Sequence, residues 1–149
     1  MTELIDLNPK QTSFVFDADA LWYLANDVQI KELVMKLQSS SGNVVLTPNL
    51  IEFKRMYGGE VPTVNEELEF FRSTGESTFG EVPISHAVVE PVAALARQFG
   101  NARICRKGLT DIVTDGLKAY YVKETGSLKR CGGIGDILAG TIGTFTHYG

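Results

Sequence analysis

The stretch "NVVLTPNLIEFKRMYGG", residues 43–59, decides how the fold is read. Val44–Leu46 is a short, wholly apolar run broken by Pro48, the pattern of a strand buried on both faces. Asn49 is a good helix N-cap and Gly58 a good stop, so a short helix follows at once. Strand, tight turn, helix is the repeating unit of an α/β sheet. Upstream, "SFVFDADALWYL" holds a second apolar run, Phe14 to Phe16, ending at Asp17. Ile30, Leu33, Val34 and Leu37 then recur at helical spacing, with "SSSG" closing that helix. Downstream, residues 60–83 form a polar excursion with one predicted helix near Asn65 to Phe71. Val88, Val92, Leu95, Ala96 and Phe99 mark another helix, which Pro91 opens or kinks. "NARICRKG" reads as a third strand and "DIVTDGLKAYYV" as a hairpin about Asp115-Gly116. Asp136 to Tyr148 is the last helix, with Ala139, Gly140 and Gly143 small enough to lie close against a sheet. The expected architecture is a three-layer α/β/α domain, mostly parallel, with an antiparallel hairpin added.

The 149 residues are 44% hydrophobic and 21% charged, with a net charge of −4. No run of Lys and Arg interrupts them, which argues against nucleic acid or an anionic membrane as partner. No apolar run is long enough to span a bilayer. Cys105 and Cys131 have no metal-like spacing, and His86 and His147 are the only histidines. The expectations are a cytoplasmic, reducing location and no protein-built metal site.

Chemistry concentrates where predicted strands end. In "GSLKRCGGIGDILAG", residues 126–140, consecutive glycines turn backbone N–H groups into a concavity, and the helix behind them adds its positive end. An acid at that helix start, Asp136, is odd beside a phosphate pocket unless it takes a proton from the attacking group. The combination points to phosphoryl transfer; a glycine-rich turn capped by an acid is the plainer alternative. Lys107 ends a predicted strand in "RKGLTD", where an ammonium can neutralise phosphate oxygens. Asp111 is placed to orient that loop or a magnesium-bound water. Asn49 and Glu52 lie on neighbouring turns after another strand, and Asp17 and Asp19 after the first, where one or both may cap the next helix.

"FVFDADALWYL", "VVLTPNLIEFKRMYG", "HAVV", "LARQFGNARICRKGLTDIVTDG" and "GSLKRCGGIGDILAGTIG" occur in that order. Together they resemble the ATP-dependent NAD(P)H-hydrate dehydratase family of the ribokinase-like superfamily, in its eukaryotic form. The resemblance implies a repair reaction. The family phosphorylates the hydroxyl of hydrated NADH or NADPH with ATP and Mg2+, and phosphate then leaves to restore the dihydronicotinamide. By motif it also implies roles. Asn49, Leu50, Ile51, Glu52, Phe53, Lys54 and Arg55 would line the hydrate side. Lys107, Gly108, Leu109, Thr110 and Asp111 would surround ATP, as would Gly126, Ser127, Leu128, Lys129, Arg130, Cys131, Gly132, Gly133, Ile134 and Gly135. Asp136 would contact the hydrate hydroxyl and remove its proton.

The family's complete chains are about twice this length, so residues 1–149 are expected to be a partial domain lacking the N-terminal half. A sheet cut at mid-order exposes an edge and apolar faces, and implies poor solubility or a homo-oligomer. A functional link to an NAD(P)H-hydrate epimerase is also implied. Two rival readings are a small-alcohol kinase of the same superfamily and a nucleotide-binding remnant without turnover.

Overall fold

The computed structural model describes residues 12–124, 126 and 131–148. The three apolar runs form parallel strands: β1 (Phe14–Phe16), β2 (Val44–Leu46) and β4 (Arg103–Arg106). β1 pairs with β2 in register Phe14 to Val44, and β2 with β4 from Val45 to Arg103. The hairpin strands β5 (Asp111–Thr114) and β6 (Ala119–Val122) continue the sheet antiparallel, and β3 (Phe79–Val82) closes it. The order is β1-β2-β4-β5-β6-β3. The antiparallel side is thus one strand wider than expected. β3 lies inside the polar excursion as an edge strand with only Val82 buried, so it carries no apolar pattern to read.

Helices start and stop where local chemistry permits. α2 (Val28–Ser41) is capped by Asp27, whose carboxylate accepts from the N–H groups of Gln29 and Ile30, and it ends at Gly42 with φ 68°. α4 (Val64–Ser73) begins with a reciprocal Thr63–Glu66 capping box. The Lys123 ammonium satisfies its far end, donating to the Phe71 carbonyl at 3.0 Å and the Thr74 hydroxyl at 3.1 Å. Pro91 sits in the first turn of α5 (Glu90–Gln98), where its missing N–H costs nothing, so it opens the helix without kinking it. α1 (Asp19–Asn26) was not indicated by the sequence. The expected strand stops at Asp17, and the residues after it belong to no expected element. The hairpin loop is wider than an Asp-Gly turn, since Thr114 pairs with Ala119 and leaves residues 115–118 outside the ladder. Gly116, at φ 86°, is required there: a Cβ would lie 2.7 Å from Arg97 Cγ on α5.

The two faces of the sheet differ. Phe16, Val44, Leu46, Ile104, Ile112 and Tyr121 point to one side and form a core with Leu21, Val34, Phe53, Val92 and Leu95. Each large side chain fully buried in this way contributes about 1.5–3 kcal/mol. The alternate residues face the other side, where α6 (Ile134–Tyr148) leans on the sheet. Gly143 makes the expected close approach, its Cβ position 3.6 Å from Val15 Cγ2; Gly140 meets open space. A cavity of about 360 Å3 remains between α6 and the sheet, lined by Val45, Cys105, Val113, Val122, Leu138 and Ile142 among others. Burial, with Asp111 nearby, pushes the Cys105 thiol up to about 11, so this cysteine is an inert packing group. No residue of α6 is buried, and Ile137, Phe145 and Tyr148 are largely exposed.

Candidate functional site

The C-terminal ends of β1, β2 and β4 are joined by main-chain hydrogen bonds. Thr47 N–H donates to the Phe16 carbonyl at 3.1 Å, and Lys107 N–H donates to the Pro48 carbonyl at 2.8 Å. Both bonds continue the ladders one residue past the strands. They bring the backbone at Asp17, Asn49 and Lys107 to the same end of the sheet.

At the β2 end the side chains serve the helix they introduce. Asn49 Oδ1 accepts from Ile51 and Glu52 N–H at 2.9 and 3.0 Å, and Glu52 Oε2 accepts from Asn49 N–H at 2.8 Å. This capping box starts α3 (Leu50–Tyr57), which ends at Gly58 with φ 70°. Asn49, Ile51, Lys54 and Arg55 are exposed, and Leu50 and Glu52 half-buried. Phe53 is different: at 2% exposure it turns into the core and stacks on Tyr57 at 5.7 Å. Position four of an amphipathic helix points back at the sheet, so Phe53 supports α3 from below.

At the β4 end Lys107 finds a partner ninety residues away. Its Nζ donates to Asp17 Oδ1 at 2.8 Å, both side chains being largely buried. Burial alone would push the Asp17 carboxyl up. Hydrogen bonds from Lys107 and Thr47, the Lys107 charge and the Ala18 N–H together outweigh it and hold the carboxyl below the usual carboxylate range. The start of α6 lies directly over this pair. A Cβ on Gly135 would sit 3.4 Å from Asp17 Oδ2 and 3.8 Å from Lys107 Nζ. A lysine ammonium and the N–H groups of a helix start thus share one space, an arrangement suited to an anion.

The loop after Lys107 is held from within. Asp111 Oδ1 accepts from Gly108 N–H at 2.8 Å. Gly108 and Leu109 are exposed, and Thr110 is buried. Beneath the loop, Arg106 is 1% exposed and pairs with Glu67 of α4 at 3.2 Å, its Nε and Nη1 without acceptors. A Cβ on Gly108 would lie 2.9 Å from Arg106 Nη1, so glycine is needed for the loop to rest there. Gly126, Cys131, Gly132, Gly133, Ile134 and Asp136 are exposed, whereas Ser127, Leu128, Lys129 and Arg130 lie outside the described residues.

Lys107, Gly135 and the first turn of α6 therefore come together as the sequence indicates. Asp19 stands exposed in the first turn of α1. Thr47 and Arg106 carried no signal of their own. Thr47 could have been found as the residue after a buried strand, but Arg106 looks like any surface arginine until the fold buries it. Among the described residues no group of three or more His, Cys, Asp or Glu side chains is placed to hold a metal.

An open α/β sheet with a lysine, carboxylates and a glycine-rich helix start at its strand ends defines a class, the α/β enzymes that bind nucleotide at the carboxyl ends of their strands. Comparison with known proteins narrows it. Residues 4–148 match the family model for NAD(P)H-hydrate dehydratase, and the chain belongs to that family. It is 33% identical over 135 residues to the ATP-dependent (S)-NAD(P)H-hydrate dehydratase of Nematostella vectensis, covering 90% of this chain and 32% of that protein. The Schizosaccharomyces pombe protein of the same name is 39% identical over 131 residues, covering 88% and 31%. The Homo sapiens one is 30% identical over 134 residues, covering 90% and 31%. The chain thus spans about a third of the length of these relatives, not the half expected from the sequence.

Proposed function

We propose that this chain carries the ATP-handling and proton-accepting part of an ATP-dependent (S)-NAD(P)H-hydrate dehydratase. The supporting observation is the meeting of Lys107 with the start of α6 in a member of that family. In this reading the triphosphate lies across residues 107–111 and the glycines of residues 126–135. Its terminal oxygens face the Lys107 ammonium and the N–H groups of Gly132 to Gly135. Asp136, exposed one residue further on, accepts the proton of the hydrate hydroxyl as its oxygen attacks the γ-phosphorus and ADP leaves. The C–O bond to the new phosphate ester then breaks, a neighbouring ring proton is lost, and the dihydronicotinamide double bond returns. The exposed residues of α3, Asn49, Ile51, Lys54 and Arg55, are the proposed hydrate contacts.

In this reading Mg2+ is held mainly by the substrate phosphates and water, as this ion keeps several waters and takes one or two carboxylates beside phosphates; Asp136 is the candidate carboxylate. When bound, the ion would neutralise developing phosphate charge. A cytoplasmic location, consistent with two free thiols, belongs to the same proposal. So does a functional link to an epimerase that interconverts hydrate stereoisomers. The exposed apolar residues of α6 favour a homo-oligomer.

The test is incubation of the chain with NADPH hydrate, ATP and Mg2+ while the dihydronicotinamide absorbance is followed. Recovery of absorbance with release of ADP and phosphate is expected, and Asp136→Asn should abolish it. ADP production with retention of a phosphorylated alcohol would instead identify a kinase. ATP binding without turnover would identify a nucleotide-binding remnant.

A further inference from the structure

Among the groups at the three strand ends, Asp17 is the one whose placement no local need explains. The chain leaves it through Ala18, whose φ of 50° and ψ of −119° lie in a region that side-chain-bearing residues avoid. Such a conformation is unfavourable and persists only where its surroundings hold it. The helix gains nothing in return, since α1 has no side-chain cap bond at its start. What the sharp turn achieves is direction. Asp17 Oδ1 is 2.8 Å from Lys107 Nζ, and Oδ2 lies against Gly135 at the start of α6.

A lysine side chain has a flexible four-carbon stem and loses rotamer entropy when fixed. Asp17 fixes it in advance. One of the three ammonium protons is used, leaving two for a ligand. The absence of a side chain at Gly135 keeps the space beyond Nζ open.

We propose that Asp17 is the positioning residue of Lys107, holding its ammonium at the N-terminus of α6 so that the site receives the terminal phosphates of a nucleotide already arranged. Asp17 does not bind the anion, because two negative groups at that distance repel. Its whole effect passes through Lys107. The identity of the natural ligand rests on the proposed function, but the coupling between the two residues does not.

Titration calorimetry with tripolyphosphate, which offers the charge of ATP without the nucleoside, tests this on the wild-type chain, Asp17→Ala, Lys107→Ala and the double variant. Asp17→Ala should weaken binding about tenfold, the loss of one charge-assisted hydrogen bond. The double variant should bind no more weakly than Lys107→Ala alone. Asp17→Asn, which keeps the shape and an oxygen acceptor but loses the charge, should fall between wild type and alanine. If thermal melts show Asp17→Ala unfolded, the same cycle is run with asparagine. Three results overturn the proposal: no tripolyphosphate binding by the wild type, binding by Asp17→Ala as tight as wild type or tighter, or an equal loss in the Lys107→Ala background. A chain that passes this cycle but does not restore dihydronicotinamide overturns the proposed function and leaves the role of Asp17 standing. A chain that turns over with additive losses does the reverse.

Discussion

At the end of β2 the chain enters α3 through Thr47, Pro48 and Asn49, and the Asn49 and Glu52 side chains are satisfied within three residues by the helix they introduce. At the end of β1 it enters α1 through Asp17 and Ala18 with a strained backbone and no cap, and the carboxylate goes to a lysine ninety residues on. The two turns are neighbours in one sheet and perform the same strand-to-helix step. One is arranged for the stability of its helix and the other for the site. Strain at a turn is retained where it aims a group that local bonding could not aim.

Substitutions at the two turns should separate these roles. The largest effect belongs beneath the β2 turn: Phe53→Ala empties a buried ring site and should cost about 3–5 kcal/mol in chemical denaturation. Asn49→Ala removes the α3 cap and should cost about 1 kcal/mol by the same measurement, and a loss this size at Asp17→Ala would make the two turns alike. Ala18→Gly should go the other way. Glycine relieves the strain but loses more entropy on folding, for a net gain of about 1 kcal/mol read as a raised Tm. Unchanged or lowered stability would mean that the turn is not strained.

The smallest effect is on pH. The Asp17 carboxyl titrates lower in the folded chain than in the unfolded one, so its contribution is fully present above the unfolded value near about 3.9 and is lost as pH falls through the folded value. Asp115 behaves alike. Burial raises its carboxyl, but the N–H groups of Lys118 and Leu117 lower it further. Asp17→Asn and Asp115→Asn should each flatten the fall of Tm with acid, the first alone also altering anion binding.

Short-range chemistry made much of this molecule readable in advance. Pro48, Asn49 and Gly58 bound α3 because a missing N–H, a side-chain acceptor and a left-handed backbone act within one turn of chain. The apolar run Val44–Leu46 is buried at all three positions, as a strand covered on both faces must be, and the runs at Phe14 and Ile104 pair beside it. The glycines before Asp136 announce an anion site for the same local reason. The edge strand β3 was illegible, because an exposed strand needs no apolar face. α1 was hidden because its eight residues bury only Leu21 and Leu24 and expose Trp22 and Tyr23, too little to show a helical stripe.

Folding in three dimensions settled the pairings. That Lys107 meets Asp17, that Arg106 is buried against Glu67 and that Phe53 faces inward all follow from strand order, which brings β1, β2 and β4 side by side across some ninety residues. A charge carries no address in the sequence. Its partner is whichever group the packing of the sheet leaves within about 4 Å, where the Coulomb term and the hydrogen bond become large enough to hold it.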